Sequence, residues 1–452
     1  MKIKVYALIT VLLAFAGSIH GREIGSSSPE RQGFSSDRLD RLTQFMEAKV
    51  DDGTMVGGLG VIARNGKVIY IESFGQADRE AGRVMEEDAI FRIYSMTKPI
   101  TGVALMMLYE EGKFRLSDPI AWYMPELANL EVALSTAGTG VISDGTVSRG
   151  VGETNEELLG KTRKPKRQPT IRDLLTHTAG FTYGIFGNTE VDQLYRQSET
   201  IGIMDQRNLQ QFVQDLGKLP LQYEPGAQWH YSVSVDVQGR LVEVLSGMSF
   251  GEFLRTRLFE PLDMKDTAFF VPSEKQSRLA QLYKPAGLTE LNFMAPTTGK
   301  GLEVADAYIS AGVLAPPEFE SGGAGLVSTA RDYLRFAQMM LNGGELDGVR
   351  ILSPKTAQLM TSNHLGDLPM GWGGKGLGFG LGFGLVLEPE STGEVSSAGE
   401  FNWGGAAGTR FWVDPEENLI GIFMVQSIPH RTRLAGDFKV LVYGAMTQSQ
   451  AN

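Results

Sequence analysis

The chain contains no cysteine in 452 residues. That excludes disulfides, a cysteine nucleophile, thiolate metal sites and a lipid anchor on cysteine. Histidine is scarce as well, at five, and no two are spaced as H-x-x-x-H. A zinc hydrolase built on that helical pair is therefore not expected, and no metal or cofactor is implied. Basic residues are in deficit, with a formal net charge of -11. Nonspecific nucleic-acid binding needs a basic surface to neutralise phosphates, so nucleic acid is not an expected partner. Lys161 to Arg167 is a local basic run, read as a solvated loop.

Only one long apolar stretch occurs, and it stands at the N-terminus. Met1 to Lys4 is a short positive segment, Val5 to Ile19 is mostly apolar and uncharged, and polar sequence begins near Arg22. This three-part pattern predicts a secretory signal over residues 1–21, cleaved after Gly21. The stretch is shorter than the ~20 apolar residues a membrane span needs. The expectation is an exported protein, periplasmic or secreted, with no stable membrane anchor after cleavage.

What remains is ordinary for a globular chain, at 42% hydrophobic and 21% charged. Ser35 to Val50 places Leu39, Leu42, Phe45 and Met46 at helical spacing. Gly57 to Ala63 and Lys67 to Ser73 flank Asn65-Gly66, the strongest short signal for a β-hairpin. Ser95 to Glu111 is apolar on nearly all sides, which predicts a helix buried in a large core. Residues 131–168 lose all periodicity and are rich in Gly, Ser, Thr and charge, as in a long surface insertion. Helices are expected over Val235 to Leu245, Phe250 to Phe259 and Thr329 to Leu341. Gly378 to Leu387, Thr409 to Val413 and Leu419 to Gln426 read as strands, with a closing helix over Ala435 to Met446.

Strands at both ends and helices between them predict an α+β fold. An antiparallel sheet from N- and C-terminal strands would be flanked by helices, with an inserted, mostly helical lobe. The sheet lobe is expected at about 22–94 plus 326–452, and the helical lobe at about 95–325.

Three short segments carry chemistry. Ser95-Met96-Thr97-Lys98 is the only S-x-x-K. At i and i+3 on a helix both side chains share a face, at the end whose free N–H groups favour an anion. A lysine with a depressed pKa can take the serine proton. Alone, the motif is more often an N-capping serine with an exposed lysine. Trp229 to Val233 follows the turn signal Glu224-Pro225-Gly226. It presents Tyr231, able to share a proton with Lys98 or simply to fill a core. Asn402 to Gly408 is small and glycine-rich before a strand. It is a glycine-rich edge, or a loop whose free N–H pairs with that of Ser95 in an oxyanion hole.

S-x-x-K with S-D-N and K-T-G marks class A β-lactamases and penicillin-binding proteins. Here the order of the three segments resembles the class C β-lactamase branch, and is most similar to the family VIII carboxylesterases of the same fold. Thr170 to Gly180, Tyr231 to Gly239, Phe259 to Met264 and Gly322 to Asp332 look like family segments too, so the resemblance covers nearly the whole mature chain. It implies that Ser95 is the acylated nucleophile, that Lys98 and Tyr231 transfer protons, and that the N–H groups of Ser95 and Ala406 form the oxyanion hole. It places Trp403, Gly404 and Gly405 at the substrate. Two departures bear on that substrate, a small ester or amide. Val233 stands where class C enzymes carry Asn, and Trp403-Gly404-Gly405 where they carry K-T-G. The cation that would meet an anionic β-lactam is missing, which favours neutral esters.

Other readings stay open: a β-lactamase, D-amino-acid peptidase or transacylase of this fold, or a catalytically silent peptidoglycan-binding protein. Gly247-Met248-Ser249-Phe250-Gly251 also matches the G-x-S-x-G nucleophile elbow. That elbow needs a strand before it. A helix is expected there, which makes Ser249 a helix cap, and His430 is its only partner by chain order. His177 and His230 are expected to pack or hydrogen-bond rather than to catalyse.

Overall fold

The computed structural model describes residues 23–134, 161–198, 207–288, 301–306, 311–371, 374–430 and 432–450. The expected signal segment and most of the 131–168 insertion lie outside them. Among the described residues no helix is long and apolar enough to cross a membrane.

The first expected helix is α1, Ser36–Asp51, and it buries Leu39, Leu42 and Met46 along one stripe. The hairpin follows as β1, Gly57–Arg64, and β2, Lys67–Asp78. Its turn residues Asn65 and Gly66 sit at φ 53° and 68°, as the Asn-Gly pair requires. A two-residue edge strand, β3 (Arg83–Val84), completes the N-terminal share.

The C-terminal share is β4 (Leu377–Phe379), β5 (Gly384–Val386), β6 (Phe401–Gly404), β7 (Arg410–Asp414) and β8 (Leu419–Val425). The sheet runs β4-β5-β6-β7-β8-β1-β2-β3. Every neighbouring pair is antiparallel. β8 therefore pairs with β1, from Gly58 opposite Val425 to Arg64 opposite Leu419. The two ends of the chain are joined in the middle of the sheet, as the expected α+β architecture requires.

Every residue of β8 is buried, because both faces of the sheet are covered. Further helices are α2 (Thr97–Glu110), α3 (Ser234–Ser246), α4 (Ala330–Leu341) and α5 (Leu434–Gly444). One face of the sheet packs against α1 and α5, with Leu42, Met46, Ile62, Trp412, Phe423 and Phe438 in one cluster. The other face packs against α2 and α4, where Val61, Ile422 and Phe411 meet Ile100, Val103, Tyr333 and Phe336. α2 is buried at every position from Thr97 to Leu108. Its large apolar side chains, Ile100, Val103, Leu105, Met106 and Leu108, contribute roughly 1.5–3 kcal/mol each when so enclosed, so this central helix has little freedom to shift.

Several expectations are corrected. The run Gly378 to Leu387 is not one strand but the β4–β5 hairpin. Gly382, at φ 95°, reverses the chain inside it, and an apolar run gives no sign of such a turn. Asn402 to Gly404 belongs to β6, so the loop is shorter than expected. Phe250 to Phe259 is an α-helical turn over Phe250–Leu254 followed by a wider π turn over Arg255–Phe259. The flanks of the 131–168 segment are ordered: Val132–Ala133 pairs with Thr162–Arg163 and closes its base. The basic run beside it is partly neutralised, with Arg163 paired to Glu224 and Arg167 to Asp173.

Candidate active site

The approach to Ser95 is fixed by backbone pairing. Phe91 and Arg92 pair with Ser328 and Val327, and the Ile93 N–H donates to Leu326 O at 3.1 Å. Tyr94 then takes φ 42°, in the left-handed region. A 3-10 turn over Tyr94–Met96 leads into α2. Ser95 thus lies one turn earlier than the α-helix proper, a local tightening common at helix starts.

Lys98 reaches back one turn. Its Nζ is 3.2 Å from Ser95 Oγ and donates to Gly323 O at 2.7 Å. Thr101 Oγ1 donates to Gly322 O at 2.8 Å, and Leu326 N–H donates to Thr97 Oγ1 at 3.2 Å. The segment 321–326 is thereby docked onto the first two turns of α2. Lys98 is 2% exposed. Burial pushes its ammonium down to about 7, against a smaller upward pull from Asp236.

Tyr231 stands just before α3. Its ring face is 4.5 Å from Lys98 Nζ. Burial raises its hydroxyl above the usual phenol range, while hydrogen bonding to the Ser95 side chain works the other way. Aromatic neighbours hold the ring: Tyr183 at 5.3 Å, Trp403 at 5.6 Å, Phe186 at 5.7 Å and His177 at 4.9 Å between centroids. His177 is buried and its carbonyl accepts the His230 N–H at 2.8 Å. Both histidines are thus packed and bonded, as expected of them.

The third segment closes the site. β6 delivers Trp403 and Gly404, and the chain then turns tightly, with Gly405 N–H on Thr409 O at 2.7 Å and Gly408 N–H on Gly405 O at 2.9 Å. A β-carbon at Gly405 would lie 2.2 Å from Thr409 Oγ1 and 2.5 Å from Ile93 O. Only glycine lets this loop touch the backbone that leads into Ser95. Among the described residues neither the Ala406 N–H nor the Ser95 N–H has an acceptor.

These groups border one cleft of about 440 Å³, whose wall includes Ser95, Tyr231, Trp403, Gly404, Gly405 and Ala406. Lys98 lies beneath Ser95. The rest of the wall is chiefly Tyr94, Tyr183, Ile185, Phe186 and Met370. Arg410 also borders it and is paired with Glu394 at 3.4 Å.

Asp236, on the first turn of α3, is a residue the motifs did not single out. It is buried and borders the same cleft. Its Oδ1 accepts Ser321 Oγ at 2.6 Å and the Gly323 N–H at 3.0 Å. Burial raises its carboxyl, against the downward pull of the Ser321 hydrogen bond and Lys98. Its spacing of five from Tyr231 was legible, but no chemistry attached to it until the fold brought in residues 321–323.

Ser249 lies apart from this group. Its Oγ accepts the Glu252 N–H at 3.2 Å as a helix N-cap, and neither it nor His430 borders the cleft. The nucleophile-elbow reading has no geometry behind it. Among the described residues no group of three or more His, Asp and Glu could hold a metal ion.

An antiparallel sheet, a 3-10 turn and buried helix that carry Ser95 and Lys98 in succession, and an open cleft above them define a serine hydrolase of the β-lactamase-like type. The chain belongs to the Beta-lactamase family, whose model matches residues 42–442. Protein Rv1367c of Mycobacterium tuberculosis (strain ATCC 25618 / H37Rv) is 32% identical over 84% of this chain and 88% of its own length. Esterase EstB of Burkholderia gladioli is 29% identical over 83% of this chain and 86% of its own. Among solved structures, EstCE1, a hydrolase with promiscuous acyltransferase activity, is similar at TM-score 0.71 and 24% identity, over 91% of this chain and 99% of that one. Simvastatin synthase (LovD) of Aspergillus terreus is similar at TM-score 0.70 and 21% identity, over 92% and 100%. These two share the fold.

Proposed function

We propose that the chain hydrolyses neutral carboxylic esters through an acyl-enzyme on Ser95. The observation that carries this reading is the contact between Lys98 Nζ and Ser95 Oγ under an aromatic cleft. Burial brings its pKa down to about 7, so neutral Lys98, able to accept a proton, is accessible near neutral pH. Lys98 takes the Ser95 proton as Oγ bonds to the ester carbonyl carbon. The N–H groups of Ser95 and Ala406 receive the oxyanion. The tetrahedral species collapses, and Tyr231 gives the departing alkoxide its proton, recovered from Lys98. Water then adds to the acyl-enzyme by the same route in reverse and releases the acid.

The preference for esters rests on Trp403. Where class C enzymes carry the lysine of K-T-G, the cleft has an indole that is 8% exposed and packed against Tyr231. The guanidinium that does border the cleft, Arg410, is engaged by Glu394. The likeness to esterase EstB supports the same choice. The division into a sheet lobe and a helical lobe, and export to the periplasm or medium, belong to this proposal.

A side-by-side panel tests it: p-nitrophenyl esters, a chromogenic cephalosporin and a D-Ala-D-Ala peptide. The expected result is kcat/KM for the esters at least 100-fold above the other two. A higher value for the cephalosporin or the peptide overturns the ester reading and leaves the Ser95 chemistry standing.

A further inference from the structure

We infer that Tyr94 is a positioning residue, whose ring locks the two proposed oxyanion donors into one rigid unit. The inference rests on the Ser95 reading above. Its first support is the backbone. Tyr94 sits at φ 42°, a region that a bulky residue occupies only when its surroundings hold it there. This conformation sets the peptide between Tyr94 and Ser95, and so the direction of the Ser95 N–H.

The second support is where the ring goes. It is 4% exposed and packs in a small cluster of its own with Ala406, Ala407, Leu282, Ile428 and Ala324. Two members of that cluster belong to the oxyanion loop. From its other side the same loop is held by backbone bonds, Ser427 N–H to Ala407 O at 3.0 Å and His430 N–H to Ala406 O at 3.1 Å. The ring and these bonds grip residues 406–407 between them. One side chain therefore touches the loop that carries one donor, while its own backbone aims the other.

The third support separates ring from hydroxyl. The Tyr94 hydroxyl is buried and has no hydrogen-bond partner among the described residues. Arg92 is the charged group that acts on it, and burial raises its pKa to about 12. A hydroxyl with no partner holds nothing in place, so positioning falls to the ring.

Tyr94→Phe, Tyr94→Ala and Tyr94→Gly test this. The readouts are kcat and KM per active site, titrated with a fluorophosphonate, and the affinity for a trifluoromethyl ketone, whose tetrahedral adduct places an oxyanion in the hole. Tyr94→Ala and Tyr94→Gly are expected to lose kcat by roughly 10- to 100-fold and ketone affinity by a similar factor; because Tyr94 also borders the cleft, KM is free to move with them. The conservative Tyr94→Phe should restore both. Recovery in Tyr94→Gly would assign the effect to backbone strain and overturn the inference. A Tyr94→Phe as impaired as Tyr94→Ala would assign it to the hydroxyl and overturn it too. So would a loss of kcat with ketone affinity unchanged. If Tyr94→Ala does not fold, Tyr94→Met is read by the same criteria. Failure of the Ser95 reading itself shows separately, as ester hydrolysis retained in Ser95→Ala.

Discussion

Lys98 donates to the carbonyl of Gly323, and Asp236 accepts the N–H of that same residue, so one glycine is shared by the buried cation and the buried anion of the site. Lys98 is therefore held by geometry rather than by a direct ion pair, and burial can depress its pKa to about 7. If neutral Lys98 is the base, kcat/KM for a neutral ester should rise with pH, with a midpoint near 7. A pH–rate profile from 5 to 9 checks this. A flat profile would remove Lys98 from the role of base.

Asp236 raises the pKa of Lys98, and the sign of its removal follows. Asp236→Asn keeps an oxygen for Ser321 and Gly323 but loses the charge. Lys98 should then lose its proton more easily, and the ascending limb should move to lower pH. An unchanged midpoint, in a variant of unchanged thermal stability, would show that the charge does not reach the base.

Gly405→Ala places a β-carbon against the Ile93 carbonyl and the Thr409 hydroxyl. The neighbouring backbone must yield, which displaces Ala406. Overpacking of this kind costs about 1–3 kcal/mol of stability, and loss of one oxyanion donor costs about 10²–10³ in kcat. Thermal unfolding and steady-state kinetics on the same preparation check both. A fully active Gly405→Ala would place the oxyanion hole elsewhere.

How far the sequence carried these conclusions depends on the type of signal. α1 and the β1–β2 hairpin were legible because a 3.6-residue stripe and an Asn-Gly turn are local patterns. Ser95, Lys98 and Tyr231 were legible as motifs, and the fold brings them to one cleft. Asp236 was not, since its neighbours Ser321 and Gly323 lie some 85 positions away in the chain. The same holds for Tyr94, whose partners Ala406 and Ala407 arrive from the far end of the chain through β6. The β4–β5 hairpin was missed because both of its short strands are apolar and the reversal between them rests on one backbone angle. Buried networks between distant segments leave no periodic trace.

Ser249 is the competing serine. As an N-cap it is expected to contribute about 1 kcal/mol to stability, and it does not border the cleft. Ser249→Ala should lower the melting temperature slightly and leave ester hydrolysis intact.

The most direct measurement is covalent labelling with a fluorophosphonate, with the modified peptide identified by mass spectrometry. A single modified residue is expected, Ser95, labelled equally in Ser249→Ala and not at all in Ser95→Ala, with ester hydrolysis lost in step. Label on Ser249, or hydrolysis that survives in Ser95→Ala, would contradict it.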